Sequence, residues 1–193
     1  MPQIDFTSKP NFVRPELLQH GQIPRPLAGV APRIVLGQDW WDIERKKAYE
    51  ANKYCCWACG EEAALEAHEA YTIDYMKLTM TFTEVVALCS KCHGFIHIGR
   101  SRIKMTEREF KALVLRGVRL LKKAKLKANW GLRAVLSDAP WAPPLASYIM
   151  ATPLMRVSPP WNAWRLVIAS DKYPPKFKNI EEASKFYEEK DNG

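Results

Sequence analysis

Two C-x2-C pairs, Cys56-Trp57-Ala58-Cys59 and Cys89-Ser90-Lys91-Cys92, constrain this chain more than any other feature. A two-residue gap lets both thiolates of a pair face one metal, while amides in the turn offset their charge. Two such pairs complete a tetrahedral all-sulfur site suited to zinc. The spacing therefore predicts zinc ligation by Cys56, Cys59, Cys89 and Cys92. Of the five cysteines, Cys55 is left over. The Cys55-x3-Cys59 spacing is less usual, so Cys55 reads as a small buried thiol. An odd count without a basic, apolar leader argues against a disulfide framework and for a reducing, cytoplasmic compartment.

The charge is informative through its distribution. The net value is +8, and the segment from Arg100 to Lys127 holds eleven Lys or Arg against only Glu107 and Glu109. An anionic partner is the natural complement. No run approaches the roughly 18 apolar residues of a membrane span. All fourteen prolines fall outside residues 33–139, which predicts a folded centre between proline-rich wrapping arms.

Within that centre, Asp39 is placed to cap a helix running to about Asn52. Residues 64–71 read as a strand with Leu65 and Ala67 on one face and Glu66 and His68 on the other. A second β-prone segment, 73–82, is expected to follow a turn and return antiparallel. The run from Cys92 to His97 reads as the start of a helix. Thr106 and Glu109 form a capping box, opening a helix with Phe110, Leu113, Val114, Val118 and Leu121 on one face. The tail carries Trp141, Trp161 and Trp164, read as packing aromatics, and ends in an acidic amphipathic helix over 180–190. The fold class expected is α+β.

A four-cysteine site alone is normally structural, because it leaves no coordination position open. The histidines point further. Three of the four lie in the knuckle unit: His68 between the pairs, His93 directly after the last cysteine, and His97 one helical turn on. His20, in the proline-rich arm, is given no role.

The order Cys-x2-Cys, Leu65-Glu66-Ala67-His68-Glu69, then Leu88-Cys89-x2-Cys92-His93-x3-His97 resembles the zinc-knuckle branch of the HNH, or ββα-metal, endonucleases. The likeness is specific over about 54–100. The flanking segments Pro32-Arg33-Ile34-Val35-Leu36-Gly37, Trp40-Trp41 and Trp164-Arg165-Leu166 are similar to HNH proteins of bacteria and their phages. The resemblance implies a small ββα-metal core (34–103) with the zinc as a staple, after a proline-rich arm (1–33). A basic helical region (104–136) and a proline/aromatic extension (137–193) then follow. It also implies a second, catalytic ion, Mg2+ or Mn2+, held by the His93 helix; His97, at i+4 on the same helix face, is placed as a candidate second ligand. His68 sits where the family keeps its general base, and a neutral imidazole can take a proton from the attacking water. Arg100, Arg102 and Lys104 follow directly, where they would contact DNA phosphates.

One position departs from the family. Many members carry Asp or His before the base as a metal ligand, where this chain has Ala67. Either His93, His97 and waters hold the ion, or Glu66 or Glu69 substitutes, or cleavage is lost and binding kept. The competing function is thus a non-catalytic zinc-dependent nucleic-acid-binding protein derived from the same fold, and a purely structural zinc protein comes third. A double-strand cut by one active site would call for two chains or two visits.

Overall fold

The computed structural model describes residues 9–127 and 160–191, with the side chains of 187–191 left aside. Among the described residues there are six α-helices and one four-stranded sheet in the order β1-β2-β3-β4. The elements are α1 (Pro32–Leu36), α2 (Gln38–Ala51), β1 (Leu65–Asp74), β2 (Thr79–Cys89), α3 (Ser90–Ile96), α4 (Ile98–Lys104), α5 (Glu107–Lys123), β3 (Arg165–Ile168), β4 (Asp171–Tyr173) and α6 (Ile180–Asp191). The α+β class expected from the sequence is observed. No described helix is long and apolar enough to cross a membrane. Trp141 lies outside the described residues.

Two compact units form, and neither is continuous in sequence. The first takes 1–20, 43–68 and 85–152, and the second takes 21–42, 69–84 and 153–193.

The first unit is built on α5. Its Thr106 cap forms as expected: the Thr106 hydroxyl accepts the Glu109 N–H (3.4 Å), and the Glu109 carboxylate accepts the Thr106 N–H (3.0 Å). Phe110, Leu113, Val114, Val118 and Leu121 are all buried, so the 3.6-residue period read from the sequence is the core face. Gly117 lies on this face too, and a Cβ there would collide with the Phe95 ring. Lacking one, it lets α3 pack directly on α5.

The N-terminal arm as far as His20 also belongs to this unit. Asn52 is fully buried and bonds the arm backbone in both directions. Its Oδ1 accepts the Phe12 N–H (3.1 Å), while Nδ2 donates to Phe12 O (3.1 Å) and Cys55 O (3.2 Å). Such a saturated amide fixes the chain path at little cost in buried polarity. Phe12 meets Trp57 edge-on at 4.9 Å, and the Trp57 indole N–H donates to Ala48 O (2.9 Å).

The second unit has its own core of Leu27, Met80, Trp164, Leu166 and Ile168, with Tyr71, Phe82 and others partly buried against it. The tip of the β1–β2 hairpin belongs here. A four-residue connection is too short for a parallel crossover, so β1 and β2 are antiparallel. The Asp74 carboxylate accepts the backbone N–H of Met76 and of Lys77 (2.9 and 3.0 Å), closing an Asx turn. That turn corrects the expected second strand: residues 73–82 straddle it, and β2 runs 79–89 instead. Asp39 is likewise in the first turn of α2 rather than ahead of it, since the helix begins at Gln38.

The tail contributes two strands beyond those expected from the sequence. β3 pairs parallel to β2, Met80 opposite Leu166, and β4 returns antiparallel, Leu166 opposite Tyr173. Four residues, alternating half-buried and buried, are too few for a clear period-2 signal. Trp164 is a core residue, as expected, and the terminal helix forms over Ile180–Asp191.

Candidate functional site

Both cysteine pairs lie in the first unit, each on a different local device. Cys56 and Cys59 sit on a tight turn in which the Gly60 N–H donates to Cys56 O (2.8 Å). Gly60 has φ of 76°, and a Cβ there would meet Val13 at 2.8 Å, so the position needs glycine for both backbone and space. Cys89 ends β2 and is the N-cap of α3, whose first turn presents Cys92. The Trp57 N–H donates to Ala87 O (2.9 Å), tying the turn to the strand.

The four sulfurs lie within 4.8 Å of one another, with Cys59 and Cys89 3.9 Å apart. Zinc–sulfur bonds of about 2.3 Å at tetrahedral angles imply sulfurs about 3.8 Å apart. The donor set also fits electrically. Hydrogen bonds within the cluster split the thiols, chiefly that from Cys59, which lowers Cys56 to about 7. Cys89 is lowered chiefly by its bond to Cys56, while Cys59 and Cys92 are raised chiefly by theirs to Cys56. Four thiolates cannot coexist here without a cation between them. The cluster can therefore hold a zinc ion. Cys55 is buried outside the cluster, its thiol raised first by burial, matching its reading as a packing thiol.

The second cluster is of imidazoles. His68 lies on β1, His93 follows Cys92 on α3, and His97 caps the C-terminus of α3, its N–H donating to His93 O (3.1 Å). Their ligand atoms lie within 4.8 Å of one another, and their ring centroids are 4.7 to 5.2 Å apart. The structure thus brings together the three histidines singled out in the sequence. His20, to which the sequence assigns no role, joins them: its ring meets that of His68 at 4.8 Å. No spacing rule reaches across the intervening residues to reveal that contact.

Electrostatics favour a neutral ring at His97. Its pKa is lowered to about 4, first by burial and then by electrostatic interaction with His93, His20 and Arg100. A neutral imidazole keeps a lone pair for a metal or a proton. Nδ1 of His93 lies 2.6 Å from Oε2 of Glu66. An ionised carboxylate only accepts, so in the neutral His93 ring Nδ1 carries the proton and Nε2 keeps the lone pair.

Glu66 thus contacts the His93 ring and is not one of the three clustered imidazole residues. Glu69, the other acid considered to replace the missing ligand at Ala67, is buried with its carboxylate 3.6 Å from the Arg33 guanidinium. That pair lies in the second unit.

Beside the imidazoles is a cleft of about 230 Å³ lined by Glu66, His93, His97, Arg100 and Lys104 among others. Arg100 and Lys104 are one turn apart on α4 and exposed, giving the cleft a cationic lip. Arg102 is exposed too, but its guanidinium lies 5.2 Å over the Phe110 ring and it does not line the cleft. Of the three expected phosphate contacts, two border the histidines. Comparison of the chain with protein-family models, curated proteins and solved structures gave no match.

Proposed function

We propose that the protein is a metal-dependent endonuclease of the HNH type that hydrolyses DNA phosphodiester bonds, with β1, β2 and α3 as a ββα-metal core. One observation carries this reading: three imidazoles converge beside a cleft whose lip is Arg100 and Lys104. A structural zinc protein needs the cysteines alone.

His93 and His97 would hold the catalytic ion through ring nitrogens, with Glu66 fixing the His93 tautomer. When bound, the ion stabilises charge on the phosphate and the leaving oxygen. Nitrogen donors suit a transition ion better than Mg2+, so Mn2+ fits this pair better than Mg2+. Arg100 and Lys104 orient the phosphate through charge-assisted hydrogen bonds. His68 accepts a proton from the attacking water. A zinc on the four cysteines would pin the Cys56–Cys59 turn to the end of β2 and the first turn of α3, beside the imidazoles.

The test incubates supercoiled plasmid with the protein and Mg2+, Mn2+ or no added ion, beside His68→Ala. Nicking or linearisation that requires the ion and vanishes in His68→Ala is expected. Binding of DNA without cleavage under any ion would sink the enzyme reading. It would leave the non-catalytic binding protein, which the 4% exposure of His68 favours.

A further inference from the structure

The outward face of α5 is unusual for a solvated helix. Arg108, Lys111, Leu115, Arg119, Lys122 and Lys123 recur at intervals of three and four, and all are exposed. At 100° per residue they fall on one strip, opposite the buried Phe110, Leu113, Val114, Val118 and Leu121. The acids of the helix, Glu107 and Glu109, are confined to its first turn, and Glu109 is engaged by Thr106. Arg116 lies off the strip and is paired with Glu61 at 2.7 Å.

Exposed helix faces ordinarily interleave acids and bases four residues apart, because like charges at that spacing repel. Here Arg108 and Lys111 stand one turn apart, as do Arg119 with Lys122 and Lys123, and no acid follows Glu109 in the helix. Lys122 and Lys123 suit the negative end of the helix dipole, but Arg108 sits at the positive end, where a cation is disfavoured. Bases outnumber acids along the strip whatever local pairs form, and an external polyanion would offset the excess.

We propose that this face of α5 is a backbone-tracking surface for duplex DNA, distinct from the cleft, which supplies sequence-independent affinity. The proposal rests on the nucleic-acid reading of the cleft for its choice of partner. From Arg108 to Lys123 the strip runs about 22 Å at 1.5 Å per residue, long enough to meet several phosphates of one strand. It would lie along the backbone and read no bases.

Five contacts on the strip contribute about −4.5 to the slope of log affinity against log salt, or about a 500-fold loss between 50 and 200 mM salt, beside the share of Arg100 and Lys104. Fluorescence anisotropy on a labelled duplex, without added divalent ion, reads this directly. Arg119→Glu with Lys123→Glu is expected to flatten the slope by about 1.8 or more and weaken binding at least ten-fold at 100 mM salt. Lys46→Glu with Lys47→Glu, the same charge change on α2, is the control and should alter affinity far less. Zinc content and circular dichroism check folding, and Arg119→Gln with Lys123→Gln replaces the reversal if it misfolds.

Equal loss in both charge pairs, or none in the α5 pair, overturns the surface. Plasmid cleavage by a protein whose α5 variant binds like the parent would overturn it while leaving the nuclease reading intact. Salt-dependent binding lost in the α5 variant, from a protein that never cleaves, supports the surface and removes the nuclease.

Discussion

Oε2 of Glu66 stands 2.6 Å from Nδ1 of His93, so a half-exposed carboxylate on β1 sets which nitrogen of a helix-borne imidazole is available. Carboxylates in this position commonly change metal affinity by about 10- to 100-fold. Glu66→Ala is expected to weaken ion binding at the histidines by about that factor, with the cysteine-bound zinc retained. Isothermal titration with Mn2+ or Co2+ measures the first and elemental analysis the second. Unchanged affinity would make the contact an ordinary surface pair.

Removing the base should separate two roles that the imidazole cluster offers. His68→Ala is expected to keep ion binding by His93 and His97 and to lose cleavage. Loss of the ion together with activity would make His68 a ligand and end its assignment as base.

The sulfur cluster should behave as a folding switch. One zinc per chain is expected, and Cys89→Ser should lose both the metal and the helical signal of the first unit, since binding and folding are coupled. Because ligation requires thiolates, affinity should fall as pH drops and hold as it rises toward neutrality. Chelator competition across pH reads the direction, and a flat profile would argue against sulfur ligation.

Gly117→Ala tests the close packing of α3 on α5. The added methyl must displace the Phe95 ring, which occupies its position. Overpacking of this kind costs about 1–3 kcal/mol, read as a lower midpoint in urea. An unchanged midpoint would show that α3 shifts freely on α5.

Asn52→Ala should leave the Phe12 N–H, Phe12 O and Cys55 O without their side-chain partner. Each unmet buried group costs about 1–3 kcal/mol. The arm should detach first, seen as faster proteolysis near residue 12 while zinc stays bound. A resistant arm would mean that Phe12 on Trp57 suffices.

The parts legible in the sequence are those with short-range rules. The knuckles follow from a fixed spacing, α5 from its capping box and period, and the three histidines from their places relative to Cys92. What escapes depends on contacts between distant segments. Asn52 looks like a helix-end residue until Phe12 arrives, and Gly117 looks like a weak spot in a helix until Phe95 fills it. His20 carries no local mark at all. Apolar patterning misplaces the strand boundary at 73–82 because Asp74 closes the turn with its side chain, which such patterning does not register.

The parallel pairing of β2 with β3 has a consequence for how the chain is made. Until Arg165–Ile168 emerges from the ribosome, the β2 edge has no partner, and Leu27 and Met80 lack Trp164, Leu166 and Ile168. The knuckles, by contrast, emerge well before the tail. Synthesis thus passes through a stage with an open strand edge, a template for pairing with other nascent chains. A stop codon or protease cut ahead of Trp164 would make that stage permanent.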